Sequence, residues 1–162
     1  MKPLLLLLVL LSWPCLAAGS GESPAVREID AMLTAWHHAA AVADATTYFG
    51  SMTADSVFLG TDPGERWTRK EFEEWASPYF MRGLAWEFTA RQRSIRLAAG
   101  GRLAWFDELL DSKSYWLCRG SGVVVRQGSR WFIAQYILSF TIPNAATREI
   151  QPIVERALGK EK

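Results

Sequence analysis

The chain has 162 residues, of which 22% are charged and 49% hydrophobic, and its formal net charge is +1. Setting Lys2 aside takes the 18 basic residues to 17, matching the 17 acidic ones, so the overall charge points to neither nucleic acid nor an anionic membrane as partner. The length suits a single domain, and eight Trp with eight Phe supply the apolar area for its core.

The N-terminus carries Lys2, the apolar run Leu4 to Leu11, then Pro14 and the small residues Ala17, Ala18 and Gly19. That is the pattern of a secretory signal peptide over residues 1–18, cleaved between Ala17 and Ser20 to release an exported protein into the periplasm or the extracellular space. The run is too short to span a bilayer and no stop-transfer segment follows it, so the mature chain is not expected to be membrane-embedded. Cys15 follows Ser-Trp-Pro, not the small residues lipidation requires. Once Cys15 is removed Cys118 stands alone, which excludes an internal disulfide and suits a small buried hydrophobe.

Ser23-Pro24 reads as an N-cap followed by proline at the first helical position. Val26, Ile29, Leu33, Trp36, Ala40 and Ala43 then mark one helical face. His37 lies about 40° from Leu33 at 100° per residue, so it can look into the core, whereas His38 falls on the far side. Asp44 caps a short second helix ending near Ser51. An apolar strand over residues 56–61 leads into the turn FLGTDPGERW. Thr68 and Glu71 form a capping box, predicting a helix from Arg69 to about Ala76 that Ser77-Pro78 breaks. From Leu84 onward the pattern alternates as in strands. Residues 102–111, 115–126 and 131–143 make three more, joined by hairpin-length connections into an antiparallel meander. A last helix covers about residues 146–158.

Helices followed by a long meander give an α+β domain over residues 22–144, with residues 145–162 as C-terminal helix and tail. The expected shape is a cone: a strongly curved antiparallel sheet, an α+β barrel with the N-terminal helices packed on its concave face. The Asp44 break, TADSVFLGTD, ERWTRKEFEEWA, AWFDELLD and CRGSGVVVRQGSRWFIAQYILSF together resemble the SnoaL-like branch of the nuclear transport factor 2-like superfamily, in particular an exported group without an assigned activity. The resemblance implies a deep pocket and, frequently, a homodimer formed through the outer face of the sheet. It does not imply one activity, because isomerases, dehydratases, hydrolases and cyclases share this fold with non-catalytic modules.

Three acids are the catalytic candidates. Asp62 and Glu65 sit where a pocket mouth lined by aromatics can raise a carboxyl pKa enough for a general base, and the Asp62-Pro63 context resembles the place where ketosteroid isomerases carry theirs. The competing reading makes Asp62 the acceptor of an Asx turn with Gly64 and pairs Glu65 with Arg66 or Arg69. Asp107 and Glu108 are neighbours in a strand, so one points in and the other out. Asp107, in parity with Trp105 and Leu109, is the favoured inward residue because aspartate is disfavoured in strands. The buried acid needs a partner, with Arg91 or Arg93 on one side and Arg119 on the other, and an acid held by arginine makes a poor base.

His37, Trp67, Trp105, Arg119 and Tyr136 are the ligand-binding candidates, as a proton carrier, aromatic walls and an anchoring cation. Adjacent helical histidines face apart and no cysteine pair exists, so no metal is expected, nor any other cofactor. The glycines of RGSGVVV suggest a bulge or bend and not a phosphate loop. Ile137 stands where many SnoaL-like proteins place a histidine, which weakens a histidine-dependent activity. The expected function is binding of a small, largely apolar molecule in the cone, with cofactor-free acid/base chemistry of the isomerase, dehydratase or cyclase type. The alternative is a non-catalytic envelope module for binding or dimerisation, its cavity filled by its own aromatics.

Overall fold

The computed structural model describes residues 23–159; the expected signal peptide and Cys15 lie outside them. Helix α1 (Pro24–Ala41) starts as its sequence dictates, with the Ser23 hydroxyl accepting from the Val26 N–H at 3.2 Å. It buries Ile29, Leu33, Trp36 and His37 on one face. Asp44 caps α2 (Ala45–Gly50) by accepting from the Thr47 N–H. Strand β1 (Met52–Leu59) and the short β2 (Arg66–Thr68) flank the acidic turn.

Helix α3 (Arg69–Met81) opens on the capping box of Thr68 and Glu71, and it runs through Pro78 instead of stopping near Ala76. Proline there removes one backbone hydrogen bond. What holds the last turn is Phe80, which continues the buried face of Phe72 and Ala76 and packs against the rings of Tyr48 and Phe49.

Strands β3 (Thr89–Leu97), β4 (Leu103–Asp111), β5 (Cys118–Gln127) and β6 (Arg130–Phe140) form the expected meander. The six strands lie in the order β2-β1-β6-β5-β4-β3, a curved sheet that stays open, with β2 and β3 as its edges. One pairing departs from the antiparallel expectation: β1 runs parallel to β6, opposite Tyr136 at Phe58. The helical segment between β1's hairpin and the meander permits this, since a parallel neighbour needs a long crossover. A 3-10 turn (Asn144–Ala146) and α4 (Thr147–Ala157) follow the sheet.

Two bulges decide which side chains enter the cone. Ala90 pairs with Leu110 and Gln92 with Leu109, so Arg91 is an extra residue in β3. Such an insertion flips the alternation of the strand. Trp86 and Phe88 face the interior before it; Arg93, Ile95 and Leu97 lie opposite the buried Glu108, Phe106 and Ala104 after it. In β6, Val123 pairs with Gln135 and Val124 with Ile133, leaving Ala134 as the extra residue. Trp131 and Ile133 are buried before that bulge and Tyr136 after it.

Candidate functional site

Strand β4 places Ala104, Phe106, Glu108 and Leu110 in the interior and leaves Trp105 and Asp107 exposed. The inward acid is therefore Glu108, only 1% exposed, and the expectation for Asp107 is corrected. Asp107 stands between Ser94 and Ser121 on the outer face, where water hydrates a carboxylate and no partner is needed. Glutamate's longer side chain reaches across the interior to three donors. Trp105 and Arg119, expected at the ligand, also belong to the outer face; Arg119 and Asp107 share a shallow hollow there with Leu109.

The Glu108 carboxylate is fully engaged. Its Oε1 accepts from His37 Nε2 at 2.7 Å and from the Tyr136 hydroxyl at 3.0 Å. Its Oε2 accepts from Arg93 Nε at 2.8 Å and touches Nη2 at 2.7 Å. Arg93 Nη1 extends the network to α1, donating to the Asp30 carboxylate at 2.7 Å and to the Thr34 hydroxyl at 3.0 Å. Of the arginines considered in the sequence, Arg93 is the partner, carried inward by the bulge at Arg91. Arg91 instead pairs with Asp111 at the surface.

Burial is the largest influence on Glu108 and pushes its carboxyl up. The hydrogen bond and charge of His37, with the charge and hydrogen bonds of Arg93, outweigh it and hold the carboxyl below its ordinary value. Burial and then the Glu108 charge push the Tyr136 phenol well above its ordinary value. The carboxylate is thus the acceptor and the phenol keeps its proton, which it spends on Glu108. His37 likewise donates through Nε2. Its Nδ1 has no hydrogen-bond partner among the described residues, which leaves that nitrogen free to meet a bound molecule while Nε2 stays tied.

His37 and Tyr136 line the inner end of a cavity of about 230 Å³. Phe58, Trp67, Phe72, Trp75 and Trp86 are among its aromatic walls. Those rings support one another: Phe58 stacks on Phe72 at 3.9 Å between centroids and Trp67 on Trp75 at 4.8 Å. Glu108 and Arg93 lie one layer behind this lining.

The acidic turn divides its two candidates. Asp62 is exposed, outside the lining, and accepts from the Gly64 N–H at 2.8 Å in the Asx turn that its sequence also allowed. Glu65 does line the cavity. Its Oε2 accepts from the Asp62 N–H at 3.1 Å and pairs with neither Arg66 nor Arg69. Gly60 makes room for it, since a Cβ there would stand 2.1 Å from that oxygen. Among the described residues no group of three or more His, Cys, Asp or Glu side chains is placed to hold a metal, and no helix is long and apolar enough to cross a membrane.

A family model for the SnoaL-like domain matches residues 29–143. No curated protein matches the chain in sequence. Among solved structures it is similar to an NTF2-like protein of unknown function from Pseudomonas putida KT2440, at 17% identity and a TM-score of 0.62 over 76% of this chain and 92% of that one. It is also similar to a candidate scytalone dehydratase from Novosphingobium aromaticivorans, at 12% identity and a TM-score of 0.60 over 72% and 84% of the two chains. A candidate aromatic ring hydroxylase from the same organism matches at 17% identity and a TM-score of 0.59, over 72% and 89%. At these identities the similarity establishes the fold alone.

Proposed function

The chain belongs to the SnoaL-like family, and on that premise we propose that it is an exported domain that binds a small, largely apolar molecule in its cone and moves a proton on it through His37. The observation that carries this reading is an open, aromatic-walled cavity whose inner end presents an imidazole oriented by a buried carboxylate. Such a carboxylate fixes the ring and the tautomer of a general base. Arg93 makes Glu108 a poor base but a good orienting group. Of the three acids singled out in the sequence, Glu65 is the one that lines the cavity.

The test uses 2-tetralone, an apolar ketone whose α-hydrogens exchange through the enol. In D2O, followed by NMR, the protein should deuterate it faster than buffer does, and His37→Gln should lose about 10²- to 10⁴-fold of that excess, the usual range for one acid/base group. Deuteration no faster than in buffer, or an undiminished rate in His37→Gln, would remove proton transfer from the proposal. Persistent binding without exchange would favour the non-catalytic reading.

Export and pairing of subunits belong to the same proposal. Leu103 and Trp105 expose 40% and 47% of their surface on the outer sheet face, which suits an interface between two copies. Protein recovered from the exporting host should begin between Ala17 and Ser20 and scatter light with the mass of a dimer. An intact N-terminus sinks the export claim, and a monomer sinks the pairing.

A further inference from the structure

The charges around the cavity carry a statement about the ligand itself. Among the described residues, neither lysine nor arginine lines it, while Glu65 and Glu87 do. Glu87 is paired with Lys113 at 3.0 Å. Glu65 has no cationic partner within ion-pair distance among the described residues, and its carboxylate is pinned in place by the Asp62 N–H and the space left at Gly60. The lining thus holds one fixed carboxylate without an ion-pair partner among the described residues.

The walls add to this field. Trp67, Trp75, Trp86 and Tyr79 are electron-rich rings, which attract a cation placed over their faces. Tyr79 already takes part in one such contact, with the Arg82 guanidinium, which is outside the lining, 4.7 Å from its ring centroid. At the inner end the Tyr136 hydrogen is committed to Glu108, so the phenol offers a ligand only lone pairs. Behind it, the Glu108 carboxylate is held by Arg93 and His37 and the Asp30 carboxylate by Arg93, so the unpaired charge of the lining is that of Glu65.

We infer that the cavity selects an organic cation, an aromatic amine whose ring lies among the tryptophans and whose ammonium meets Glu65. A carboxylate of the same shape would meet Glu65 as a like charge, and a neutral alcohol would lose both the ion pair and the cation–π contact. The inference rests on the cavity being a binding site, as proposed above, and names the class of molecule it takes.

Three indoles of nearly one shape test it: tryptamine, tryptophol and indole-3-acetate, titrated at pH 7 by calorimetry. Tryptamine should bind about tenfold more tightly than tryptophol, as a desolvated cation–π contact of 1–2 kcal/mol implies, and indole-3-acetate should bind most weakly. Glu65→Gln, which keeps an oxygen for the Asp62 N–H, should cut the tryptamine advantage severalfold, leaving the part that the tryptophan rings supply, and leave tryptophol unchanged. If tryptophol or indole-3-acetate binds as well as tryptamine, the cationic ligand is excluded while the apolar cavity stands. If tryptamine keeps its full advantage in Glu65→Gln, the role of Glu65 is overturned. If none of the three binds at millimolar concentration, the binding reading falls with it.

Discussion

Glu108→Ala should lower the stability of the fold by about 3–5 kcal/mol at neutral pH, the usual cost of removing one partner from a buried ion pair, read as a shift in the urea midpoint. Three donors lose their acceptor at once. Tyr136 and His37 each lose the one side-chain acceptor they have among the described residues, and Arg93, with 6% of its side chain exposed, keeps only its bonds to α1. The charge, and not merely the volume, is the cause. Glu108→Gln, which fills the same space, should therefore still destabilise, whereas Glu108→Met combined with Arg93→Met should recover much of the loss, since a buried pair can be exchanged for apolar groups at little cost. A Gln variant as stable as wild type would refute the electrostatic account.

The same carboxylate predicts the response to acid. Its folded-state value lies below the ordinary 4.5, so the stability it contributes is present above that pH and is lost as pH falls through the lower folded value. Wild type should weaken across that window. Glu108→Gln, having no proton to take up there, should lose less on the same descent. Equal acid sensitivity in both proteins would assign the effect to other carboxylates.

Local capping chemistry made much of this fold legible in the residues. Ser23 before Pro24, Asp44 after the alanines, and Thr68 with Glu71 each place a helix start, because each side chain satisfies backbone N–H groups that nothing else reaches. The hairpins of the meander follow from turn residues in the same way. The stop expected at Pro78 failed because a local rule about one lost hydrogen bond met a tertiary gain, the burial of Phe80. The parallel pairing of β1 with β6 had no local signal.

The site was harder to read for a related reason. His37, Trp67, Tyr136 and Glu65 line the cavity, but the acid that joins His37 to Tyr136 was placed on the wrong parity. The strand rule leaves two choices, and the propensity argument for Asp107 ignored how easily an exposed aspartate is solvated. Arg93 depended on a one-residue bulge at Arg91, which shifts the whole end of β3 by one face. Bulges leave little trace in composition. A usable signal lay in β5 instead: glycine at positions 120 and 122, two residues apart on one face, marks a place where large side chains cross the sheet closely.

Gly120 makes that crossing testable. A Cβ added there would stand 2.2 Å from the Tyr136 hydroxyl and 2.9 Å from Glu108 Oε1, so Gly120→Ala cannot coexist with the Tyr136–Glu108 hydrogen bond. Overpacking costs about 1–3 kcal/mol and a bond to a charged group about 1.5–3 kcal/mol. The variant should therefore lose roughly 2.5–6 kcal/mol if the two losses combine, measured by urea unfolding. Tyr136→Phe alone should cost only the hydrogen bond. Because phenylalanine has no hydroxyl to be struck, Gly120→Ala should cost less in a Tyr136→Phe background than in wild type, although the ring carbon 2.9 Å away keeps part of the clash. Strict additivity of the two substitutions would mean that they do not meet, and that glycine serves the strand at this position for some reason other than the phenol. A coupling of 1 kcal/mol or more, within the usual range for residues in contact, would tie the mid-strand glycine to the inner end of the cavity. It would also explain why a strand otherwise rich in valine carries a residue with poor strand propensity at that point.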